Sequence, residues 1–286
     1  MASIDNLVRR AKVIAAIRSF FDSRGFVEVD TPVRIAAPAP EPFIDCPPVG
    51  TGGFLRASPE LQMKKLLAAG MELIYQIGPC FRDGEKGSRH NPEFTMIEWY
   101  RKGAGYEAIK EDMVLLVKGL MEAFAPDEDF RIREISVRDA YLRFAGWDPW
   151  AQWDQDRFDF DMASKIEPAL KEIGGGVFLM DYPVEAAALS RTRGDVAERW
   201  EFYWRGMELA NCFGELCDSG EQTRRFNEAK EKRIELGEAD YPIDGECLEA
   251  VEAIGSASGV ALGIERLLMV LFKASSISDV MVCDGK

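Results

Sequence analysis

The chain has 286 residues, 47% of them apolar, enough for one large domain with a substantial core or for two small ones. Its formal net charge of −14, without a cluster of Lys and Arg, argues against a long polyanion such as tRNA as an extensive partner. No apolar run is long enough to span a bilayer and the N-terminus has no secretory pattern. Cys46, Cys80, Cys212, Cys217, Cys247 and Cys283 are scattered, with a single histidine to join them, so free thiols in a cytoplasmic protein are expected rather than a metal set.

In chain order, residues 5–24 read as an amphipathic helix, with Leu7, Val8, Ala11, Ile14, Ile17 and Phe21 at three- and four-residue spacing and Gly25 as its stop. Phe26 to Asp30 alternates like a strand that Pro32 ends. Residues 33–53 read as a Pro- and Gly-rich loop, and Leu55-Arg56-Ala57 as a short strand. Ser58-Pro59-Glu60 predicts a helix start with Ser58 as cap, running to about Ala69. Strands follow at Glu72 to Ile77 and Glu93 to Arg101, and a helix over 106–123. Residues 125–198 give no clear pattern. Glu201 to Trp204, a turn at Arg205-Gly206 and Met207 to Leu216 read as a hairpin. A charged helix follows over 220–236, then a strand from Gly259 to Gly263 and a helix from Ile264 to Lys273. Hairpin-joined strands with helices outside predict an α+β domain built on an antiparallel sheet.

Three segments carry the chemistry. Phe81 to Tyr100 holds Arg82, the lone His90, Phe94 and Glu98, a mixture suited to holding a polyphosphate beside a charged small molecule. Arg82 and Arg266 sit at strand ends, where two guanidinium forks could grip one phosphate from opposite sides. Glu201 and Glu208 flank the hairpin turn, where paired carboxylates could share one Mg²⁺.

These segments resemble the motifs of class II aminoacyl-tRNA synthetases, within them the lysyl-tRNA synthetase branch. Gly25-Phe26-Val27-Glu28-Val29-Asp30-Thr31-Pro32 resembles motif 1 and the Phe81 to Tyr100 stretch motif 2. Gly259-Val260-Ala261-Leu262-Gly263-Ile264-Glu265-Arg266 resembles motif 3. The resemblance runs from residue 5 to about 275. It implies the class II catalytic fold, a mixed and mainly antiparallel sheet flanked by helices, as one domain over residues 1–286. It implies that ATP is held by Arg82, Glu85, His90, Asn91, Phe94, Glu201, Glu208 and Arg266, with Arg82 and Arg266 catalytic and Mg²⁺ on Glu201 and Glu208. The amino-acid pocket would be Glu60, Arg82, Glu98, Tyr100, Asn211, Glu215, Ala261 and Gly263, with Glu98, Glu215 and Tyr100 on the terminal ammonium and Glu60 on the other amino group.

Two departures are informative. The family carries glutamate two residues after the motif-2 arginine; this chain has Gly84 there and Glu85 one place later, so the adenine is expected to be read by Glu85 from a shifted loop or by backbone groups. At Ala261 lysyl-tRNA synthetases usually carry glycine, and the extra methyl should favour an amino group one carbon further along, as in β-lysine. The motif-1 helix begins near residue 5, leaving no room for an N-terminal anticodon-binding domain. The chain resembles the free-standing lysyl-synthetase paralogues that act on elongation factor P. That implies a homodimer that activates lysine, or (R)-β-lysine, as an adenylate and passes it to a lysine ε-amino group of that protein. The alternatives are a ligase charging another carrier protein or tRNA, and a non-enzymatic regulatory paralogue.

Overall fold

The computed structural model describes residues 2–50, 52–128 and 130–282; Cys283 lies outside them. α1 (Ile4–Asp22) is capped by Ser3, whose Oγ accepts from Asn6 N at 3.1 Å, and buries Val13, Ile17 and Phe21. Gly25, at φ +77, turns the chain into β1 (Val27–Glu28). This strand is shorter than its alternation predicts. Beyond Val29 the chain is diverted to Arg56, whose guanidinium donates to the Thr31 carbonyl and hydroxyl, both at 2.8 Å. β2 (Arg34–Ile35) and β3 (Phe54–Leu55) form a separate two-stranded ribbon, so Arg56 leaves the strand expected for it and is fully buried.

α2 (Glu60–Ala68) starts as expected, but Pro59 occupies the cap. Ser58 sits one position too early and its Oγ reaches only Glu60 N, at 3.4 Å. β4 (Leu73–Phe81) and β5 (Glu93–Lys102) pair antiparallel around the loop of residues 82–92, and α3 (Tyr106–Phe124) follows. The unreadable stretch contains β6 (Ile132–Ser136), α4 (Val137–Ala140), α5 (Gln155–Asp161), α6 (Glu167–Ile173), β7 (Gly176–Pro183) and β8 (Thr192–Arg193). π-helical turns at Tyr141–Ala145 and Met162–Ile166 interrupt its helices, which breaks the 3.6-residue period that a sequence reading relies on.

β9 (Val196–Trp204) and β10 (Met207–Gly214) make the expected hairpin, which ends two residues earlier than predicted. Its turn holds Arg205 and Gly206 at φ +50 and +71, the backbone of a tight hairpin loop. A Cβ on Gly206 would stand 2.7 Å from the Glu167 carbonyl, so glycine is needed there. α7 (Ser219–Leu236), α8 (Gly245–Ile254), β11 (Ala257–Gly263) and α9 (Ile264–Phe272) complete the chain.

Among the described residues the main sheet has nine strands in the order β1-β4-β5-β11-β10-β9-β7-β6, with β8 on β9. β1–β4 and β6–β7 pair parallel and the rest antiparallel, the mixed α+β arrangement expected. One face is apolar: Ile97, Trp99, Trp200, Phe202, Val260 and Leu262 pack with residues of α1, α3 and α9. Strand side chains alternate between faces, so the intervening residues of β5, β9 and β11 project from the opposite face.

Candidate active site

On that opposite face is a cavity of about 370 Å³. β5 contributes Phe94, Met96 and Glu98 to it at period two, and β11 contributes Ala261 and Gly263. Ala261 lies between Glu98 on β5 and Asn211 on β10, and Asn211 in turn faces Glu201 on β9. Glu208 and Asn211 are an odd number of residues apart yet line the same cavity. A bulge between Glu208 and Ala210 resets the alternation, a device frequent beside active sites.

The cationic end holds the two arginines. Arg82 follows β4, lies 3.7 Å from Glu85, and stacks its guanidinium 5.3 Å from the centre of the Phe94 ring. Among the described residues its buried Nε has no hydrogen-bond partner. Arg266, in the first turn of α9, donates to the Glu208 carbonyl at 3.0 Å and to its carboxylate at 3.1 Å. Its other nitrogen lies 2.6 Å from His90 Nε2. Burial, then the Arg266 charge, lowers the His90 pKa, so a neutral ring accepts this bond. Asn91 lines the cavity but spends its amide on the Glu93 carbonyl, 2.6 Å away.

Glu201 and Glu208 line the same cavity, and burial and then the Glu201 charge raise the Glu208 pKa. Arg199 and Tyr203 already donate to Glu201, at 2.5 and 2.6 Å. Among the described residues no group of three or more His, Cys, Asp and Glu is arranged to hold a metal unaided. Two repelling oxygen donors, needing water and phosphate to complete a shell, nevertheless fit Mg²⁺.

The anionic end is a charge cage. Lys64, buried in α2, lies 2.7 Å from Glu60 and 2.6 Å from Glu215. Glu98 is also buried; Tyr100 donates to its Oε1, while its Oε2 has no partner among the described residues. Two of the three carboxylates thus share the Lys64 ammonium, and Glu98 has no cation of its own among the described residues. Burial, then repulsion from Glu60, pushes Glu98 up to about 8. Burial pushes Glu215 to about 7, against the pull of Lys64. Burial opposes charge on Lys64, but Glu215 and Glu60 outweigh it and its pKa is raised. Glu98 therefore holds a proton near neutral pH until a second cation arrives. Binding of a diamino acid should release that proton, so affinity should rise as pH increases through about 8. Calorimetry in buffers of different ionisation heat reads this directly; a buffer-independent enthalpy near pH 7 would contradict it.

The structure brings Glu60, Arg82, Glu85, His90, Asn91, Phe94, Glu98, Glu201, Glu208, Asn211, Ala261, Gly263 and Arg266 to one cavity. Tyr100 and Glu215 stand behind its wall and reach it through Glu98 and Lys64. The Tyr100 ring lies against Gly259, where any Cβ would collide with it. The sequence reading does not single out Lys64 or Arg199. Lys64 has a signal, the four-residue spacing from Glu60 on a helix, but such pairs are usually solvent-exposed.

A family model for class II tRNA synthetases (D, K and N) matches residues 2–283, and the chain belongs to that family. Among named proteins it is similar to the elongation factor P–(R)-β-lysine ligase of Proteus mirabilis (strain HI4320), at 35% identity over 98% of this chain and 95% of that one. It is likewise similar to the ligases of the same name from Pectobacterium atrosepticum, at 35% identity, and Erwinia tasmaniensis, at 38%, with the same coverage of each chain.

Proposed function

We propose that this protein activates lysine, with (R)-β-lysine preferred, by condensing its carboxylate with ATP, and transfers the acyl group to a lysine ε-amino group of elongation factor P. The observation that carries this reading is one cavity with paired arginines at one end and a carboxylate cage at the other. The similar ligases are matched over nearly their whole length, which supports the same acceptor.

In this reading Arg82 and Arg266 hold the α-phosphate from two sides while the substrate carboxylate attacks in line, and they stabilise the charge that develops. Phe94 stacks on the adenine, with Glu85, His90 and Asn91 around the nucleotide. Mg²⁺ between Glu201 and Glu208 would screen the phosphates. Glu98, oriented by Tyr100, takes the terminal ammonium, while Lys64 holds Glu215 and Glu60 in place. Glu60 and Asn211 receive the nearer amino group, above Ala261 and Gly263. An unpaired cation in so dry a pocket would be costly, so the cage selects a diamino acid.

The presence of all four of Arg82, Arg266, Glu201 and Glu208 in one cavity opposes a regulatory paralogue, and the net charge of −14 opposes tRNA as acceptor. A homodimer through the motif-1 side is supported by exposed Ile4, Val8 and Val27 on α1 and β1. A cytoplasmic setting is supported by the five described cysteines, all free; among the described residues no helix is long and apolar enough to cross a membrane. ATP–pyrophosphate exchange tests the activation step. It should require lysine or β-lysine and proceed without tRNA; equal stimulation by several unrelated amino acids would refute the assignment.

A further inference from the structure

Glu41 lies in the loop between β2 and β3 and lines both the site just described and a second cavity of about 720 Å³. The second is bounded by residues 39–42, by residues 184–192 and by α7. Among the described residues the Glu41 carboxylate has no hydrogen-bond or ion-pair partner, although the site that it borders is rich in cations. Its backbone, by contrast, is firmly held. The fully buried Arg233 donates to the Glu41 carbonyl at 2.7 Å and the Ile44 carbonyl at 3.0 Å, and pairs with Asp45 at 2.6 Å.

The walls of the second cavity suit a lysine side chain. Pro40, Pro42, Ala188 and Leu189 offer apolar surface for a methylene stem. Arg224 and Arg225 are paired with Glu221 and Glu228, which among the described residues leaves Glu41 and Glu185 as the unpaired charges of the lining, both negative, so it favours a cation.

We propose that the second cavity admits the acceptor lysine of the modified protein, and that Glu41, at the junction, is the general base that takes a proton from its ε-ammonium. The inference rests on the function proposed above. The ammonium gives one proton to the Glu41 carboxylate and becomes a neutral amine. Its nitrogen lone pair attacks the acyl carbon of the adenylate and forms the C–N bond. The C–O bond to phosphate breaks, AMP leaves with that electron pair, and the nitrogen loses its second proton to solvent. Burial, then repulsion from Glu60, raises the Glu41 pKa, which makes the carboxylate more basic; Arg82, Arg199 and Lys64 pull the other way.

The test separates acceptor chemistry from adenylate chemistry. Enzyme carrying preformed β-lysyl adenylate is chased either with elongation factor P or with hydroxylamine, whose nitrogen is already uncharged at neutral pH. Glu41→Gln should slow transfer to the protein roughly 10²-fold or more, while hydroxylamine capture changes far less. Thr192→Trp, which narrows the second cavity from β8, should raise the acceptor's KM. Equal losses with both nucleophiles, or no loss with either, would overturn the role of Glu41. An unchanged acceptor KM in Thr192→Trp would overturn the route. If the wild-type adenylate reacts with hydroxylamine but never with elongation factor P, the proposed acceptor is wrong, and this inference falls with it.

Discussion

Arg266→Ala is expected to lose ATP–pyrophosphate exchange by roughly 10²-fold or more, the typical cost of removing one preorganised charge from a transition state. The guanidinium is aimed before any nucleotide binds: the Glu208 carbonyl and carboxylate hold one nitrogen and His90 the other. Its partly exposed pair with Glu208 should contribute only about 1 kcal/mol or less to stability, so the variant should fold. Exchange kinetics beside a thermal melt check both halves. A folded variant with near-normal exchange would remove Arg266 from the catalytic assignment.

The second large effect concerns Ala261→Gly, which should improve the use of α-lysine relative to β-lysine. Ala261 stands between Glu98 and Asn211 across the sheet, so its methyl projects between the two ends of the proposed amino-acid pocket. Two residues on, a Cβ at Gly263 would meet no protein atom within 4 Å. Of the two β11 residues that line the cavity, Ala261 is therefore the one that puts a methyl group into it. One methyl group in such a pocket is worth about 1–3 kcal/mol, or roughly 10–200-fold in discrimination. kcat/KM for both isomers in wild type and variant decides it: an unchanged ratio would take Ala261 out of the specificity argument.

The sequence was most legible where local rules coincide. Strands were expected where β5 and β11 lie, Gly25 ended the first helix, and Arg205-Gly206 announced the hairpin turn, so the strands bearing Glu98, Glu201, Glu208 and Ala261 could be located. What stayed hidden depends on non-local closure. Lys64 looks like half of a surface pair with Glu60 until Glu215, at the end of β10, comes in from the other side. Arg199 becomes part of the site only because β9 lies beside β10, which lets it reach both Glu201 and Asn211. Glu41 sits in a loop without periodicity, held by Arg233 from a distant helix. The bulge in β10 has no marker in the residues themselves, yet it places Glu208 and Asn211 on the same wall.

The most direct test of the central claim is the intact mass of elongation factor P after incubation with this enzyme, ATP, Mg²⁺ and either lysine or (R)-β-lysine. A gain of one lysyl group on the protein, faster with (R)-β-lysine and absent without ATP, is the predicted result. Elongation factor P that keeps its original mass with both isomers, while the same enzyme catalyses lysine-dependent pyrophosphate exchange, would contradict it.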